Sequence, residues 1–372
     1  MRVIWIAYNT VKMIDGQSHS RFASARYRVI APVEGLIRLG HEATLVQIGV
    51  DDVIDRVVHR LDADIVVFSK LITPNHEVFG KLSATIRTLI NMLHESGKRV
   101  VADLNDNYFH HPFYGAYFRD IVARADAIVT STATMSGLIA NYTSRPIVVI
   151  GDPFEGPRGE AQLCVPARCH QSWFTRPTAN LGGLDDRLRL VWFGHESNWK
   201  VMREAVPGLL NLGGWKIDLE VITAGNCGVE EFCDAFNARH AAHCRLTFTP
   251  WTLDATWAGL SRAAMVLIPT WPDNPGKAVK GSNRLVESLR AGRFAVAGNL
   301  QAYQSLAQFC WLGDSLSQGV KWALENPERA RQRVTKGQAF VECAYSPDTI
   351  SRSWEQMLAW CGTHTNLTKN IY

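Results

Sequence analysis

Five polar side chains with helical spacing lie late in the chain, between two apolar runs. They are Lys280, Ser282, Asn283, Arg284 and Glu287. Residues three or four apart share one face of a helix or of the loop just before it. A helix N-terminus attracts anions through its unpaired N–H groups, and two cations beside it suit a diphosphate. The carboxylate of Glu287, one turn deeper on an open helix face with no role in the core, could accept hydrogen bonds from a ribose. The set therefore predicts a sugar-nucleotide site, and the alternative is a helix with a solvated basic end.

A second polar group follows the apolar run at residues 190–193. The run ends at Gly194, and His195 and Lys200 lie in the loop and helix start that come next. Ligands of open α/β sheets bind at the carboxyl ends of the strands. Gly194 would let the backbone approach a ligand and Lys200 would reach its diphosphate, although an ordinary helix start would look the same. Trp251 follows another apolar run, where it could stack on a nucleobase or simply pack.

The first half of the chain carries candidates for contact with a second substrate. They are Arg26, Lys70, Asp103, Asn107 and His110, with Asp106 as a candidate catalytic group. Arg26 and Arg28 are two residues apart, so in a helix they cannot share a face, and we assign the ligand-facing role to Arg26. Acids at a strand end, followed by aromatic residues, suit a sugar-acceptor subsite. Surface arginines and exposed loop histidines are the competing interpretation.

These candidates require two α/β frameworks to position them. Short apolar runs alternate with amphipathic helical patterns in two successive series, which predicts two Rossmann-like domains, each a doubly wound parallel sheet. The strands are expected at residues 3–7, 43–48, 65–69, 100–104, 127–130 and 147–150, then at 190–193, 219–222, 246–248, 266–269 and 294–297. The helical patterns fall near 31–39, 78–96, 135–140, 230–241, 256–263 and 283–291.

Composition suggests the domain boundaries. Residues 1–150 are expected to form the acceptor-side domain and residues 188–345 the nucleotide-sugar donor domain. Between them, residues 151–187 contain four prolines and five glycines and are expected to form a linker or insertion. Residues 346–372 begin with a serine cap and a proline, and their apolar stripe predicts a last helix.

The bulk properties are those of a soluble globular protein. The chain has 372 residues, 47% hydrophobic and 20% charged, with a net charge of +4. No apolar run is long enough to span a membrane, and the N-terminus is expected to be a first strand and not a signal peptide. The eight cysteines form no CxxC pairs, which favours reduced thiols in the cytoplasm. A zinc site around Cys164, Cys169 and His170 is the less favoured alternative.

Three stretches resemble motifs of the GT-B glycosyltransferases, in particular the retaining family 4 (group 1) that includes bacterial cell-surface sugar transferases. They are IRLGHEATLV at 37–46, RLVWFGHESNWK at 189–200 and VESLRAGRFAVAG at 286–298. The last is similar to the second half of the family's E-x7-E motif, with Glu287 in the ribose-binding position. The first glutamate of that motif would fall at Val279, so this chain departs from the pattern there. It departs again at His195, which stands where the family has arginine, and at Arg26, beside which the family's glycine pair is missing.

The resemblance implies an activity as well as a fold. It implies a GT-B enzyme whose last helix crosses back to the first domain. The reaction would transfer a sugar from a nucleotide-diphosphate sugar to a glycan, lipid-linked or small-molecule acceptor, with retention of configuration. Cations and a helix dipole would neutralise the diphosphate, so we expect no metal at Asp103 and Asp106 and no cofactor besides the donor.

Partners and location follow only in outline. We expect no nucleic-acid partner and a cytoplasmic location; association with the inner face of the membrane and the oligomeric state are left open. A sugar-nucleotide epimerase, a phosphorylase-like enzyme and a non-catalytic nucleotide-sugar sensor are the alternatives with the same fold. A NAD-dependent oxidoreductase would need GxGxxG and a P-loop nucleotidase would need GxxxxGK[ST], and neither motif occurs.

Overall fold

The protein forms two compact units. The computed structural model describes residues 1–8, 11–48, 62–69, 71–163, 187–225, 228–271 and 273–363. The first unit comprises Met1–Pro153, Pro275–Gly281 and Ala344–Tyr372. The second comprises Phe154–Asn274 and Ser282–Cys343.

The first unit is built on a six-stranded parallel sheet. Its strands are β1 (Arg2–Ala7), β4 (Glu42–Gln47), β5 (Ile65–Ser69), β6 (Arg99–Asp103), β7 (Ala127–Thr130) and β8 (Ile147–Val149). They lie in the order β4-β1-β5-β6-β7-β8, so the chain reverses its direction of winding between β1 and β5. A small antiparallel ribbon, β2 (Lys12–Ile14) and β3 (Gln17–His19), follows β1.

Helices cover the first sheet. The first runs from Ala23–Ala25 through a π-helical turn, Arg26–Ile30, into Ala31–Arg38. The others are His76–Glu95, Gly115–Arg124, Ala133–Ile139, the short Pro275–Ala278 and the last helix, Pro347–Thr363. Because both faces of the sheet are covered, its central strands are mainly apolar, as in β5, where all five residues are buried and only Ser69 is polar.

The second unit repeats this architecture. Its strands are β9 (Arg187–Phe193), β10 (Lys216–Thr223), β11 (Cys244–Pro250), β12 (Met265–Ile268), β13 (Phe294–Ala297) and β14 (Trp311–Leu312). The order is β11-β10-β9-β12-β13-β14, with the reversal between β9 and β12. The helices are Trp199–Ala205, Val229–His240, Leu253–Arg262, Asn283–Arg290, Leu316–Glu325 and Pro327–Ala344, with 3-10 turns at Glu196–Asn198, Val206–Asn211 and Gln301–Leu306.

The last helix completes the core of the first unit, as the sequence predicted. It begins at Pro347, and the hydroxyl of Ser346 accepts a hydrogen bond from the amide of Thr349 at 3.1 Å. Its buried stripe includes Trp354, whose ring packs edge-to-face on Trp5 of β1 at 5.2 Å. The predicted fold of two parallel α/β domains is therefore confirmed, including the return of the last helix to the first.

One segment of the predicted second domain belongs to the first unit. Pro275–Gly281, expected in the second domain, clusters with the first unit. The side chain of Val279 is 3% exposed and belongs to the apolar core of that unit. The hydroxyl of Thr132 donates a hydrogen bond of 2.9 Å to the carbonyl of Val279, which fixes the segment there. Apolar burial, which local sequence does not reveal, decides this placement.

Candidate functional site

The order of strands in the second sheet reverses between β9 and β12. Gly194 directly follows β9, and its amide donates to the carbonyl of Ile222 at 3.1 Å. A Cβ atom at position 194 would lie 3.4 Å from the Trp192 ring and 3.7 Å from Nη1 of Arg284. Gly194 therefore lies directly beside the Arg284 guanidinium.

Buried polar atoms without protein partners gather at the carboxyl edge of this sheet. Nη1 of Arg284, in the first turn of Asn283–Arg290, is buried and has no hydrogen-bond partner among the described residues. Two hydroxyls are likewise buried and have no hydrogen-bond partner among the described residues. They belong to Thr223, the last residue of β10, and to Thr270, which follows β12. Since β10 and β12 flank β9 in a parallel sheet, Thr223 and Thr270 lie at the same carboxyl edge. The helix that begins at Asn283 follows β12 along the chain. Buried donors normally have partners, so this edge is suited to a polar, anionic ligand.

Two further predicted donor-side residues lie at the same helix start. Ser282 is the N-cap residue and is 8% exposed, although its side chain makes no capping hydrogen bond. Asn283 is the first helical residue and is half-buried. The N-terminus of this helix therefore presents backbone N–H groups beside the Arg284 side chain.

Glu287 has a structural role that the sequence did not predict. Its side chain is 3% exposed, and its carboxylate accepts hydrogen bonds from the amides of Glu155 at 2.7 Å and Gly156 at 3.0 Å. A Cβ atom at Gly156 would come within 2.8 Å of Oε2 of Glu287, so the glycine allows this close approach. The expectation of an open carboxylate with no role in the core is wrong. Ribose binding by Glu287 stays a prediction.

The remaining donor-side candidates occupy the rim. His195 is exposed, and its Nδ1 accepts a hydrogen bond from the amide of Ser197 at 3.2 Å, which caps the short turn that follows. Lys200 is exposed, with its ammonium 5.7 Å from the centre of the Trp271 ring. Trp251 is half-buried, and its amide donates to the carbonyl of Thr223.

The first unit places a buried ion pair at its strand ends. The Arg28 side chain is 1% exposed and donates to Asp103 at 2.6 Å, to the carbonyl of Ile150 at 2.6 Å and to Asp152 at 3.1 Å. Burial acts to lower the pKa of the Arg28 guanidinium, but the charges of Asp103 and Asp152 outweigh it and raise that pKa. Asp103 also accepts from the hydroxyl of Ser69 at 2.7 Å. This internal pair ties the ends of β5, β6 and β8 together.

This pair bears on two sequence predictions. The Asp103 side chain has no exposed surface, and its carboxylate is paired within the protein. Acceptor binding by Asp103 stays a prediction. The arginine that points into the unit is Arg28, whereas Arg26 is half-buried and donates to the carbonyl of Ser20 at 3.0 Å. Arg28 is therefore engaged inside the unit, and the ligand-facing role of Arg26 stays a prediction.

The other acceptor-side candidates lie on the loop after β6. Asp106 forms an ion pair with Lys280, and Nδ2 of Asn107 donates to the carbonyl of Pro275 at 3.3 Å. Lys280 therefore lies in the loop before its helix and belongs to the first unit, not to the edge that carries Arg284. His110 is exposed, with Nε2 at 2.8 Å from the Tyr142 hydroxyl.

A small pocket lies beside Asp106 in the first unit. Its wall is mainly apolar and aromatic, and it is formed by Phe68, Leu71, Ile72, Asp103, Leu104, Asn105, Asp106, Tyr117, Phe118 and Ile121. Oδ1 of Asn105 is buried and has no hydrogen-bond partner within the described residues. Burial next to the charge of Asp120 raises the pKa of the Tyr117 phenol, which therefore remains neutral.

Several predictions fall on parts of the chain that the structure does not describe. Lys70 lies outside the described residues, and so do Cys164, Cys169 and His170. Within the described ranges, no three His, Cys, Asp or Glu side chains are grouped so that they could hold a metal ion. None of the helices found there has the length and apolar character needed to cross a bilayer.

Thr223 and Thr270 are the functional candidates that sequence reasoning missed. Both come where an apolar strand run ends, and this is the signal that could have found them.

Comparisons with known proteins support the fold. No protein-family model and no curated protein matches the sequence. HepE from Anabaena, in complex with UDP, has a TM-score of 0.68 and 11% identity over 97% of this chain and 100% of its own. A glycosyltransferase from Rickettsia africae has a TM-score of 0.66 and 11% identity over 98% and 99%. The catalytic domain of starch synthase IV from Arabidopsis thaliana, bound to ADP and acarbose, has a TM-score of 0.59 and 10% identity over 98% and 99%.

These similarities and the two six-stranded parallel sheets define a GT-B fold. The resemblance to GT-B glycosyltransferases is confirmed at the level of the fold.

Proposed function

We propose that the protein is a glycosyltransferase that moves a sugar from a nucleoside-diphosphate sugar to a glycan, lipid-linked or small-molecule acceptor. Similar structures support this: HepE was solved with UDP and with UDP-glucose, and starch synthase IV with ADP and acarbose. We further propose retention of configuration and independence of metal ions. The cytoplasmic location and the absence of a cofactor stay predictions.

The observation that carries this proposal is Nη1 of Arg284, which has no hydrogen-bond partner in the part of the chain that the structure describes. A guanidinium N–H group buried without an acceptor is costly, and a diphosphate oxygen is the acceptor that suits it. Gly194 lies beside it, and the N-terminus of Asn283–Arg290 adds N–H groups. The hydroxyls of Thr223 and Thr270 can donate to further oxygens of the same ligand.

The same groups account for a rate gain. In sugar transfer the diphosphate leaves with growing negative charge, so preorganised donors stabilise the transition state more than the ground state. One such donor contributes about 3 kcal/mol. Arg284 and the helix N-terminus fill this role, with Lys200 at the rim. The catalytic roles of Lys280 and Asp106 stay predictions, because their ion pair engages both charges in the first unit. Acceptor binding by Asn107 and His110 stays a prediction as well.

Calorimetric titration with UDP, ADP and GDP tests this function. We expect at least one to bind, and Arg284→Ala to weaken that binding by at least about tenfold, the loss of a charge-assisted hydrogen bond. Arg189→Ala is the matched control, since Arg189 is an exposed arginine within β9 and should leave the affinity unchanged. Equal losses in the two variants, or no binding by any of the three nucleotides, would overturn the assignment.

An epimerase or a non-catalytic sensor with the same fold would pass the binding test. Turnover separates them. A glycosyltransferase releases the nucleoside diphosphate from its sugar donor, an epimerase returns an isomeric sugar nucleotide, and a sensor returns the donor unchanged.

A further inference from the structure

The β2–β3 ribbon of the first unit is an exposed extension with an ordered tip. Lys12 pairs with His19, Met13 with Ser18, and Ile14 with Gln17. Asp15 and Gly16 connect the strands with φ angles of +49° and +77°, the left-handed values of a tight two-residue turn. At its base, Val11 is 4% exposed in the core, and its amide donates to Oε1 of Gln47 at 3.0 Å. The ribbon is therefore anchored at one end and projects at the other.

Both faces of this ribbon carry an exposed apolar side chain. Residues directly opposite each other in an antiparallel pair share a face, and successive residues alternate between faces. Met13 therefore lies with Ser18 on one face, where the Ser18 hydroxyl donates to the Met13 sulfur at 3.4 Å, and Ile14 lies with Gln17 on the other. In the described part of the first unit, the three most exposed large apolar residues are Met13 (63%), Ile37 (52%) and Ile14 (51%).

Lysine and arginine side chains lie near the base of the ribbon. Lys12 is exposed there opposite His19, and the guanidinium carbon of Arg21 lies 4.9 Å from the centre of the Phe22 ring, a residue that is 39% exposed. Asp15 is the single carboxylate among residues 11–28. The ribbon thus combines an apolar tip with a positively charged base, and Asp15 at the turn limits how deep the tip can enter an apolar phase.

We propose that the β2–β3 ribbon contacts an anionic membrane surface. A protein groove would cover one face of a two-stranded ribbon and leave the other in water, whereas a headgroup layer surrounds both faces. Met13 and Ile14 would lie at the boundary between headgroups and acyl chains, and Lys12 and Arg21 at the level of the lipid phosphates. This assignment does not depend on the proposed sugar transfer, because it involves neither the edge with Arg284 nor the pocket beside Asp106.

Co-sedimentation of the full chain with vesicles tests this contact. We expect binding to vesicles of phosphatidylcholine mixed with phosphatidylglycerol, and little binding to phosphatidylcholine alone. Met13→Ser combined with Ile14→Ser should reduce binding to the mixed vesicles about tenfold or more, because two apolar side chains are removed. Ile37→Ser is the matched control: Ile37 is equally exposed on helix Ala31–Arg38, and its loss should change nothing. All three positions are exposed, so the variants should fold, which circular dichroism checks.

Two further measurements separate insertion from other causes. Lys12→Gln combined with Arg21→Gln should weaken binding to the mixed vesicles and reduce its dependence on salt. Ile14→Trp should give a tryptophan emission that shifts to shorter wavelength when the mixed vesicles are added. The membrane assignment is overturned if the wild-type chain ignores the mixed vesicles, or if Ile37→Ser loses as much binding as the double serine variant. It is also overturned if only the Lys12→Gln and Arg21→Gln variant loses binding, because the protein would then adsorb to the vesicles by charge without inserting its apolar tip. A dimer that the double serine variant abolishes would assign the tip to a second copy of the chain.

Discussion

Polar residues at the strand ends divide into two groups with different roles. In the first unit, Arg28 and Asp103 satisfy each other inside the protein, so they stabilise the fold and are unavailable to a ligand. At the second unit's edge, Nη1 of Arg284 has no protein acceptor within the described residues. Arg28 and Arg284 are both arginines within the first turns of a helical segment. What distinguishes them is the presence of an internal partner.

Glu287 gives a stability prediction at the scale of one residue. Glu287→Ala would remove the acceptor of the amides of Glu155 and Gly156, and Gly156 is buried, where an unsatisfied amide costs about 1–3 kcal/mol. We therefore expect a fall of a few kcal/mol in the free energy of unfolding, measured by urea titration. Glu287→Gln keeps one carbonyl acceptor and should lose less. Glu325→Ala is the control, because Glu325 is exposed and its ion pair with Lys321 is weak. If Glu287→Ala is as stable as Glu325→Ala, Glu287 does not stabilise the fold, and only its predicted ligand-binding role remains.

The sequence located most candidate residues but could not give their burial. Helix Ala23–Arg38 contains the π-helical turn Arg26–Ile30, which shifts the phase of the side chains along it. A pattern of 3.6 residues per turn therefore could not tell which of Arg26 and Arg28 points inward. The partner of Arg28, Asp103, is 75 residues away, and the amides held by Glu287 are more than 130 residues away. Pairings of this kind depend on tertiary structure.

At the scale of elements, the segment Pro275–Gly281 predicts the effect of a glutamate at position 279, where the resembled E-x7-E motif would have one. Val279 is 3% exposed in an apolar core, where an unpaired carboxylate would be strongly disfavoured. Val279→Glu should therefore destabilise the first unit by about 3 kcal/mol or more and add no activity. Thermal unfolding measures the loss. The matched control is Val149→Glu in β8, where valine is 46% exposed and the change should be tolerated. Equal stability of the two variants would contradict the burial of Val279.

Elements with strong apolar runs were the most predictable. β5, β7 and β13 have the predicted bounds, because central strands covered on both faces form short, mainly apolar runs. The two-residue edge strand Trp311–Leu312 and the β2–β3 ribbon were not predicted. Neither has an apolar run long enough to show the alternation of a strand in the sequence. Hydrogen bonding to a neighbouring segment defines them as strands.

For the whole molecule, the distribution of charge predicts how activity responds to chelation. In the proposed reaction Arg284, Lys200 and a helix N-terminus neutralise the leaving diphosphate, so EDTA should leave turnover of UDP-sugars or ADP-sugars unchanged. The measurement is release of UDP or ADP with and without the chelator. If EDTA abolishes release and Mg²⁺ or Mn²⁺ restores it, a metal takes part, and Asp106 becomes the first residue to examine.

The last helix gives a prediction about the two cores. Trp354 is completely buried between Trp5 and the Arg28 guanidinium, whose central carbon lies 5.3 Å from its ring. Trp354→Ala should therefore destabilise the first unit by about 3–5 kcal/mol through the cavity it leaves. Each unit has its own core, so the edge with Arg284 should still bind its nucleotide at temperatures where both units are folded.

Scanning calorimetry with and without UDP tests this separation of the cores. The substitution should lower the midpoint temperature of one unfolding transition. A bound nucleoside diphosphate should raise the midpoint temperature of the other, because at a hundred times its dissociation constant it stabilises the folded unit by about 2.7 kcal/mol. Trp360→Ala on the same helix is the control, since Trp360 is only half-buried and should cost less. A single transition that both changes move together would mean that the two cores unfold as one cooperative unit. In that case the free energy of nucleotide binding would stabilise the last helix as well.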